Sequence, residues 1–249
     1  MRIFATGDTH GGFQRLSPER FPIQKELERE DCVLICGDFG GVWNGEAQDA
    51  EKLDWLEERP FTTIFVCGNH ENYDELYRYP VVSWHGGRVH QVRPHVLHLM
   101  RGQVFELAGR RFFTMGGARS LDVWDGILDP SEPDFAERYW ALRNRQAVFR
   151  VKHLDWWEQE LPSEQEYQEA RRNLRRVDMQ VDFIVTHCAP DSIQDVMSGG
   201  QFRHDRLTGF LQEVRETTQF RCWLFGHYHH NSTIQERFFL LYEQIIQII

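Results

Sequence analysis

Five short polar blocks carry the residues that could do chemistry: Asp8 with His10, Asp38, Asn69 with His70, His187, and His227 with His229. Carboxylates, an amide oxygen and neutral imidazoles suit a divalent ion such as Mn, Fe or Zn, whereas a thiolate-rich zinc site would need cysteines at ligand spacing. Leaving His70 aside, seven candidate ligands exceed what one tetrahedral ion accepts, and a pair of ions sharing one carboxylate accommodates them. His70 stands beside the candidate ligand Asn69, where an imidazole can move a proton. Taken singly, each residue has a plainer role: Asp8 or Asp38 capping a turn, His187 satisfied in a core, His227 and His229 in a polar turn. The ordered set is what argues for a metal site.

Each block follows directly on an apolar run that reads as a buried strand: Ile3 to Thr6, Cys32 to Cys36, Thr62 to Cys67, Phe183 to Thr186 and Cys222 to Phe225. Between the first three runs, Pro22 to Glu30 and Glu46 to Glu58 have apolar residues at helical spacing, so three βα units and a parallel sheet are expected. The carboxyl ends of such strands share one crevice, which lets ligands scattered along the sequence converge. From Val81 to Met115 glycines and a proline separate short apolar segments, and Val96 to Met100, Gln103 to Leu107 and Arg111 to Met115 read as antiparallel hairpins that begin a second sheet. Gly116 to Pro133 reads as a long surface loop. Phe135 to Arg145 and His153 to Leu161 can be helices, and Ser163 with Glu166 forms a capping-box pattern that starts a helix running to about Arg176. Its four arginines read as a solvated face. Leu207 to Val214 reads as a further helix, and Phe238 to Ile249 as two closing strands turning at Glu243-Gln244.

A chain of 249 residues, 41% hydrophobic and 27% charged, fits one large domain with an aromatic core supplied by eight Trp and eighteen Phe. The expectation is a single domain over residues 1–249, with a loop and helical lid inserted at about 117–162. The net charge of −10 argues against broad nucleic-acid binding, although bound cations would reverse the local field around a phosphate substrate. No apolar stretch reaches the ~18 residues of a membrane span. The N-terminus runs straight into a polar loop, and the five cysteines read as buried free thiols, so a cytoplasmic location is expected.

The ordered blocks Gly7-Asp8-Thr9-His10, Gly37-Asp38, Gly68-Asn69-His70-Glu71, His187 and Gly226-His227-Tyr228-His229 resemble the pattern GDxH, GD, GNH[D/E], H and GHxH of the calcineurin-like metallophosphoesterase superfamily. The resemblance implies an α/β fold with a two-sheet β-sandwich flanked by helices, in four layers. It implies Asp8, His10 and His229 on one metal, Asn69, His187 and His227 on the other, and Asp38 between both. Hydrolysis of a phosphate mono- or diester by a hydroxide held between the ions is then expected, with His70 as proton donor. The first and third blocks look like the protein Ser/Thr phosphatase and diadenosine tetraphosphate hydrolase branch. That branch has GDxVDRG in the second block, where this chain reads Gly37-Asp38-Phe39-Gly40-Gly41-Val42-Trp43. The aspartate that would orient His70 and an arginine for phosphate are missing, which argues against protein phosphatase activity.

Substrate arginines must then come from elsewhere, Arg119 first and Arg88 or Arg101 after it. His85, His90, His95 and His98 read as surface or hydrogen-bonded residues, and Trp43 and Trp124 as core or rim packing. The expected partner is a phosphorylated small molecule, nucleotide or phosphoprotein. Two rivals stand beside this: a nucleotide or nucleic-acid phosphodiesterase, and a metal-stabilised binding protein without catalysis, for which the spare His70 has no use.

Overall fold

The computed structural model describes residues 1–249, the side chain of Glu46 excepted. In chain order, β1 (Ile3–Thr6), β2 (Cys32–Ile35), α1 (Glu46–Glu57), β3 (Thr62–Phe65) and α2 (Tyr73–Leu76) form the opening βα units. They lead into β4 (Val81–Trp84), β5 (Gly87–Arg93) and β6 (Val96–Leu99), then β7 (Gln103–Leu107) and β8 (Arg110–Met115). The next segment carries β9 (Ile127–Leu128), α3 (Phe135–Asn144) and β10 (Arg150–Val151). After α4 (Glu164–Arg176) come β11 (Phe183–Thr186), α5 (Asp191–Ser198), α6 (Arg206–Thr217), β12 (Cys222–Phe225), β13 (Ser232–Ile234), β14 (Phe238–Leu240) and β15 (Ile246–Gln247).

Two main sheets result, of seven strands in the order β15-β1-β2-β3-β6-β5-β4 and of six in the order β13-β14-β12-β11-β8-β7. β1, β2, β3 and β6 are parallel, as are β8, β11, β12 and β14, while β4, β5, β7, β13 and β15 pair antiparallel with their neighbours.

Alternation of side chains decides how the sheets stack. Ile3, Ala5, Leu34, Ile64 and Val66 of the first sheet meet Phe105, Phe112, Val185 and Leu224 of the second in one apolar layer. The residues between them point outward: Phe4, Val33, Ile35 and Phe65 pack with Leu53 and Leu56 of α1 and Leu76 of α2. On the far side, Phe113, Ile184, Trp223 and Phe225 pack with Ala170 and Leu174 of α4 and Leu211 and Val214 of α6. Both faces of both central strand sets are buried, which makes a four-layer α/β/β/α sandwich. The carboxyl ends of β1, β2, β3, β11 and β12 open onto one crevice.

Several local expectations give way to tertiary constraints. The second sheet starts at β7 rather than at Val81, because β6 adds to β3 in parallel (Thr63 opposite Val96) and carries β5 and β4 with it. Val96 to Met100 and Gln103 to Leu107 therefore belong to different sheets, β6 forming its hairpin with β5 and β7 with β8. Between the sheets the chain turns at Gly102, whose φ of +70° and close approach to Ala170 of α4 leave no room for a side chain. Pro22 to Glu30 shortens to a single 3₁₀ stretch, Pro22–Glu26, since the buried Gln24 spends its amide on Leu16 O and Phe21 O. His153 to Leu161 is not a helix. His153 adopts φ +58°, Asp155 accepts from Val151 N at 2.6 Å, and Trp157 donates to Asp74 at 2.7 Å, leaving only a 3₁₀ turn at Glu158–Glu160. The loop Gly116 to Pro133 carries β9, paired with β10. α5 and β13 went unread in the sequence.

Candidate metal centre

The five strand-end blocks do meet. Asp8, His10, Asp38 and His229 bring one ligand atom each to within 4.8 Å of one another, a hard, mixed oxygen and nitrogen set that fits a divalent ion. His229 Nε2 lies 3.1 Å from Asp8 Oδ2 and 3.1 Å from His10 Nε2. On the other side of Asp38, His187 Nε2 stands 3.3 Å from Asp38 Oδ1 and 3.3 Å from Asn69 Oδ1, and its ring meets that of His227 edge-on with centroids 5.0 Å apart. Asp38 thus turns one oxygen to each group, the second standing 3.8 Å from His10 Nε2.

Local backbone explains how short loops achieve this. His10, Asp38, His227 and His229 all sit at positive φ, between 45° and 71°, where non-glycine residues are uncommon and are held only by surrounding structure. His10 N and Thr9 N both bond to Asp38 O, at 2.7 and 3.1 Å, and His227 N bonds to Asp8 at 3.0 Å, so each loop is fastened to another. The block glycines make the interlock possible. A Cβ on Gly68 would strike the Asp38 carboxylate, and one on Gly37, itself at φ +98°, would strike the His187 ring.

Electrostatics follow from burying two carboxylates side by side. Burial by itself would raise Asp38, but His187, His70 and His10 hold it far below the usual carboxylate range, and Asp8 is likewise lowered. Burial would lower His187, yet Asp38 and Asp8 hold it up at about 9. His227, buried beside His187, is pushed down to about 3, and burial lowers His10. His187 Nδ1 lies 2.7 Å from Cys36 O and donates to it, so Nε2 is the nitrogen that would lose its proton to an ion bound between the carboxylates.

His70 donates its backbone N–H to Asp38 Oδ1 at 2.7 Å, and its ring stands edge-on to that of His10, centroids 5.4 Å apart. Among the described residues, no side chain accepts from its ring where the missing aspartate would stand. Arg119 reaches the crevice, sharing a wall with His227. Arg88 lies on β5, where both oxygens of Glu169 accept from it at 2.6 Å. Arg101 is buried, donating to Gly116 O, Tyr73 Oη and Gln159 O. Trp43 packs against Trp157, while Trp124 is 80% exposed.

Three supporting residues escaped the sequence reading. Glu71, fully buried, accepts from Phe39 N, Gly40 N and Gly68 N, tying the loop after β2 to the loop after β3; burial and the charge of Asp38 push it up to about 8. Its place in the Gly68-Asn69-His70-Glu71 block was the available signal. Ser120 accepts from Asn69 Nδ2 at 3.4 Å and donates to Glu160 at 2.5 Å, which turns the amide oxygen of Asn69 toward His187. Nothing in sequence spacing marks Ser120 or Glu160.

The fold and this crevice define a class, and sequence comparison gives the same one. The model of the calcineurin-like phosphoesterase family matches residues 1–231, and the chain belongs to that family. It is similar to lariat debranching enzyme A of Xenopus laevis, 27% identical over 172 residues, covering 62% of this chain and 31% of that protein. It is also similar to the lariat debranching enzymes of Danio rerio, 26% identical over 62% of this chain and 29% of that one, and of Drosophila pseudoobscura pseudoobscura, 23% identical over 92% and 42%. The chain thus spans about a third of the length of the first two relatives. No helix among the described residues is long and apolar enough to cross a membrane.

Proposed function

We propose that the protein is a metal-dependent phosphoester hydrolase that uses two divalent ions. The observation that supports this most is Asp38, a buried carboxylate with one oxygen 3.8 Å from His10 Nε2 and the other 3.3 Å from His187 Nε2. In this reading Asp8, His10 and His229 hold one ion, Asn69, His187 and His227 the other, and Asp38 both. Ions so placed supply a water acidified toward neutrality and charge to balance the phosphoryl oxygens. His70, held by its peptide N–H to Asp38 and with its ring edge-on to His10, would protonate the leaving oxygen. Segment 117–162 would act as a lid, with Arg119 at the crevice wall. The substrate is a phosphate mono- or diester, the class that the family match supports.

Mn-loaded protein, assayed on an aryl phosphate and a bis-aryl phosphate, tests the reading. Turnover by the native chain and none by Asp38→Ala is expected. Two bound metal equivalents with neither substrate hydrolysed would sink it. A purely structural metal site would instead show unfolding on chelation and no hydrolysis across a broad phosphate panel.

A further inference from the structure

An amide side chain offers an oxygen on one side and an NH2 on the other, and only the oxygen can bind an ion. Which side Asn69 turns to His187 is decided by residues outside the ligand set. Asn69, Ser120 and Glu160 are all buried, and each donates to the next: Asn69 Nδ2 to Ser120 Oγ at 3.4 Å, and Ser120 Oγ to Glu160 Oε2 at 2.5 Å. Ser120 N donates to the other carboxylate oxygen, Oε1, at 3.1 Å. Two donors side by side need two acceptors, and an ionised carboxylate supplies both while holding no proton of its own to turn the chain round. Because the Ser120 hydroxyl spends its one proton on Glu160, it can only accept from Asn69. The amide oxygen is left facing the other way, 3.3 Å from His187 Nε2.

Glu160 is itself fixed by Arg101. This buried guanidinium donates to Glu160 O at 3.2 Å, to Gln159 O at 2.7 Å and to Gly116 O at 2.9 Å, so it clasps both ends of segment 117–162. It also donates to Tyr73 Oη at 2.8 Å, and that hydroxyl donates at 2.5 Å to the carbonyl of Gly68, the residue before Asn69. The base of the segment and the turn that carries Asn69 are thereby fastened to each other twice, once through Tyr73 and once through Ser120.

Resting on the two-metal phosphoesterase reading above, we propose that Ser120 and Glu160 are positioning residues that orient the Asn69 amide for the second ion, so that segment 117–162 completes the metal site without ligating it. Glu160→Gln keeps the shape of the side chain but sets an NH2 against Ser120, which frees the hydroxyl proton and lets the amide of Asn69 turn over. Mn titration followed by electron paramagnetic resonance should show two equivalents bound by the native chain. In Glu160→Gln one of them should bind about 10- to 100-fold more weakly, the usual cost of losing a partner behind a metal ligand. Turnover of bis-aryl phosphate by this variant should recover in excess Mn, as it would not for a residue taking part in the chemistry. Asn69→Asp separates orientation from packing, because a carboxylate turns an oxygen inward whichever way it lies; adding Glu160→Gln to it should leave the Mn affinity of that background unchanged. Ser120→Ala, which keeps the backbone donor to Glu160, should repeat both results and carries the test if Glu160→Gln does not fold. Unchanged Mn affinity in the single variants, or the same loss with and without Asn69→Asp, would overturn the proposal; two equivalents bound and bis-aryl phosphate hydrolysed by the native chain leave the phosphoesterase reading standing. A native chain that binds no second equivalent and hydrolyses no phosphoester overturns both.

Discussion

Two histidine clusters lie in this molecule, and only one is suited to hold metal. His90 and His98 face each other across β5 and β6, their rings stacked at 5.2 Å and their Nδ1 atoms 2.9 Å apart, closer than the 3.1 Å between His10 and His229 in the candidate metal centre. They sit in a ring stack between Tyr77 and Phe65, beside a cavity of about 870 Å³ that Arg101 and Tyr167 also line. No carboxylate bonds to them. Glu166, whose charge acts on His90, is committed to the capping of α4 and to Arg101. Burial pushes His90 down to about 4 and His98 well below its ordinary value, whereas equally buried His187 is held up at about 9 by Asp38 and Asp8. Burial alone makes an imidazole a neutral packing piece; paired carboxylates create a field that only a cation answers. Asp8 and Asp38, more than the number of histidines, mark the candidate metal centre.

Removing that field should have the largest effect. Asp38→Ala is expected to lower phosphoester hydrolysis by on the order of 10³-fold or more and to abolish binding of at least one metal equivalent, read by metal analysis of the desalted protein. His98→Phe, equivalent if histidine clusters were interchangeable, should leave metal content intact. Next comes His70→Ala, expected to cost about 10²-fold on an alkyl ester and markedly less on a nitrophenyl ester, whose leaving group needs no proton. Equal losses on both would remove His70 from the acid's role. Smaller is the thermal shift on chelation. At 100 times the dissociation constant, bound metal stabilises by about 2.7 kcal/mol, or roughly 5–10 °C for a chain of this size. The native chain should show that shift and Asp38→Ala should not.

The contrast also explains what could be read in advance. The convergence of the candidate metal-ligating residues was legible because each is fixed by chain-local features, an apolar strand, a glycine and a polar residue, and parallel topology alone brings strand ends together. The capping box at Ser163 and Glu166 was legible for the same reason, both partners lying within one turn. What escaped depends on contacts distant in sequence. β6 is the hairpin strand its sequence suggests, paired with β5, but it joins the first sheet and not the second, because Thr63, Ile64 and Phe65 present it an open parallel edge. His153 to Leu161 has helical composition, yet Trp157 is drawn to Asp74, 83 residues earlier. Ser120 and Glu160 reach the centre through Asn69.

The smallest predicted effect separates the clusters by pH. His98 has a folded pKa far below that of the unfolded chain, so the unfolded state takes up the proton first. Its contribution to stability is complete above the unfolded value of about 6.5 and falls as the pH drops below it, by about 1 kcal/mol between pH 6.5 and 5.5. The ionisable groups acting on the pair are Arg88 and Arg101, which oppose protonation, and Glu166, which favours it weakly. His98→Phe keeps a ring in the stack and removes the titrating group. Chemical denaturation of both chains at pH 7.5, 6.5 and 5.5 should show a stability difference that moves in favour of the variant by about 0.4 kcal/mol between the upper two values and by about 1 kcal/mol more at 5.5. A difference flat across all three would mean that His98 is protonated as readily folded as unfolded, and the distinction between a cluster built on burial and one built on carboxylates would fail.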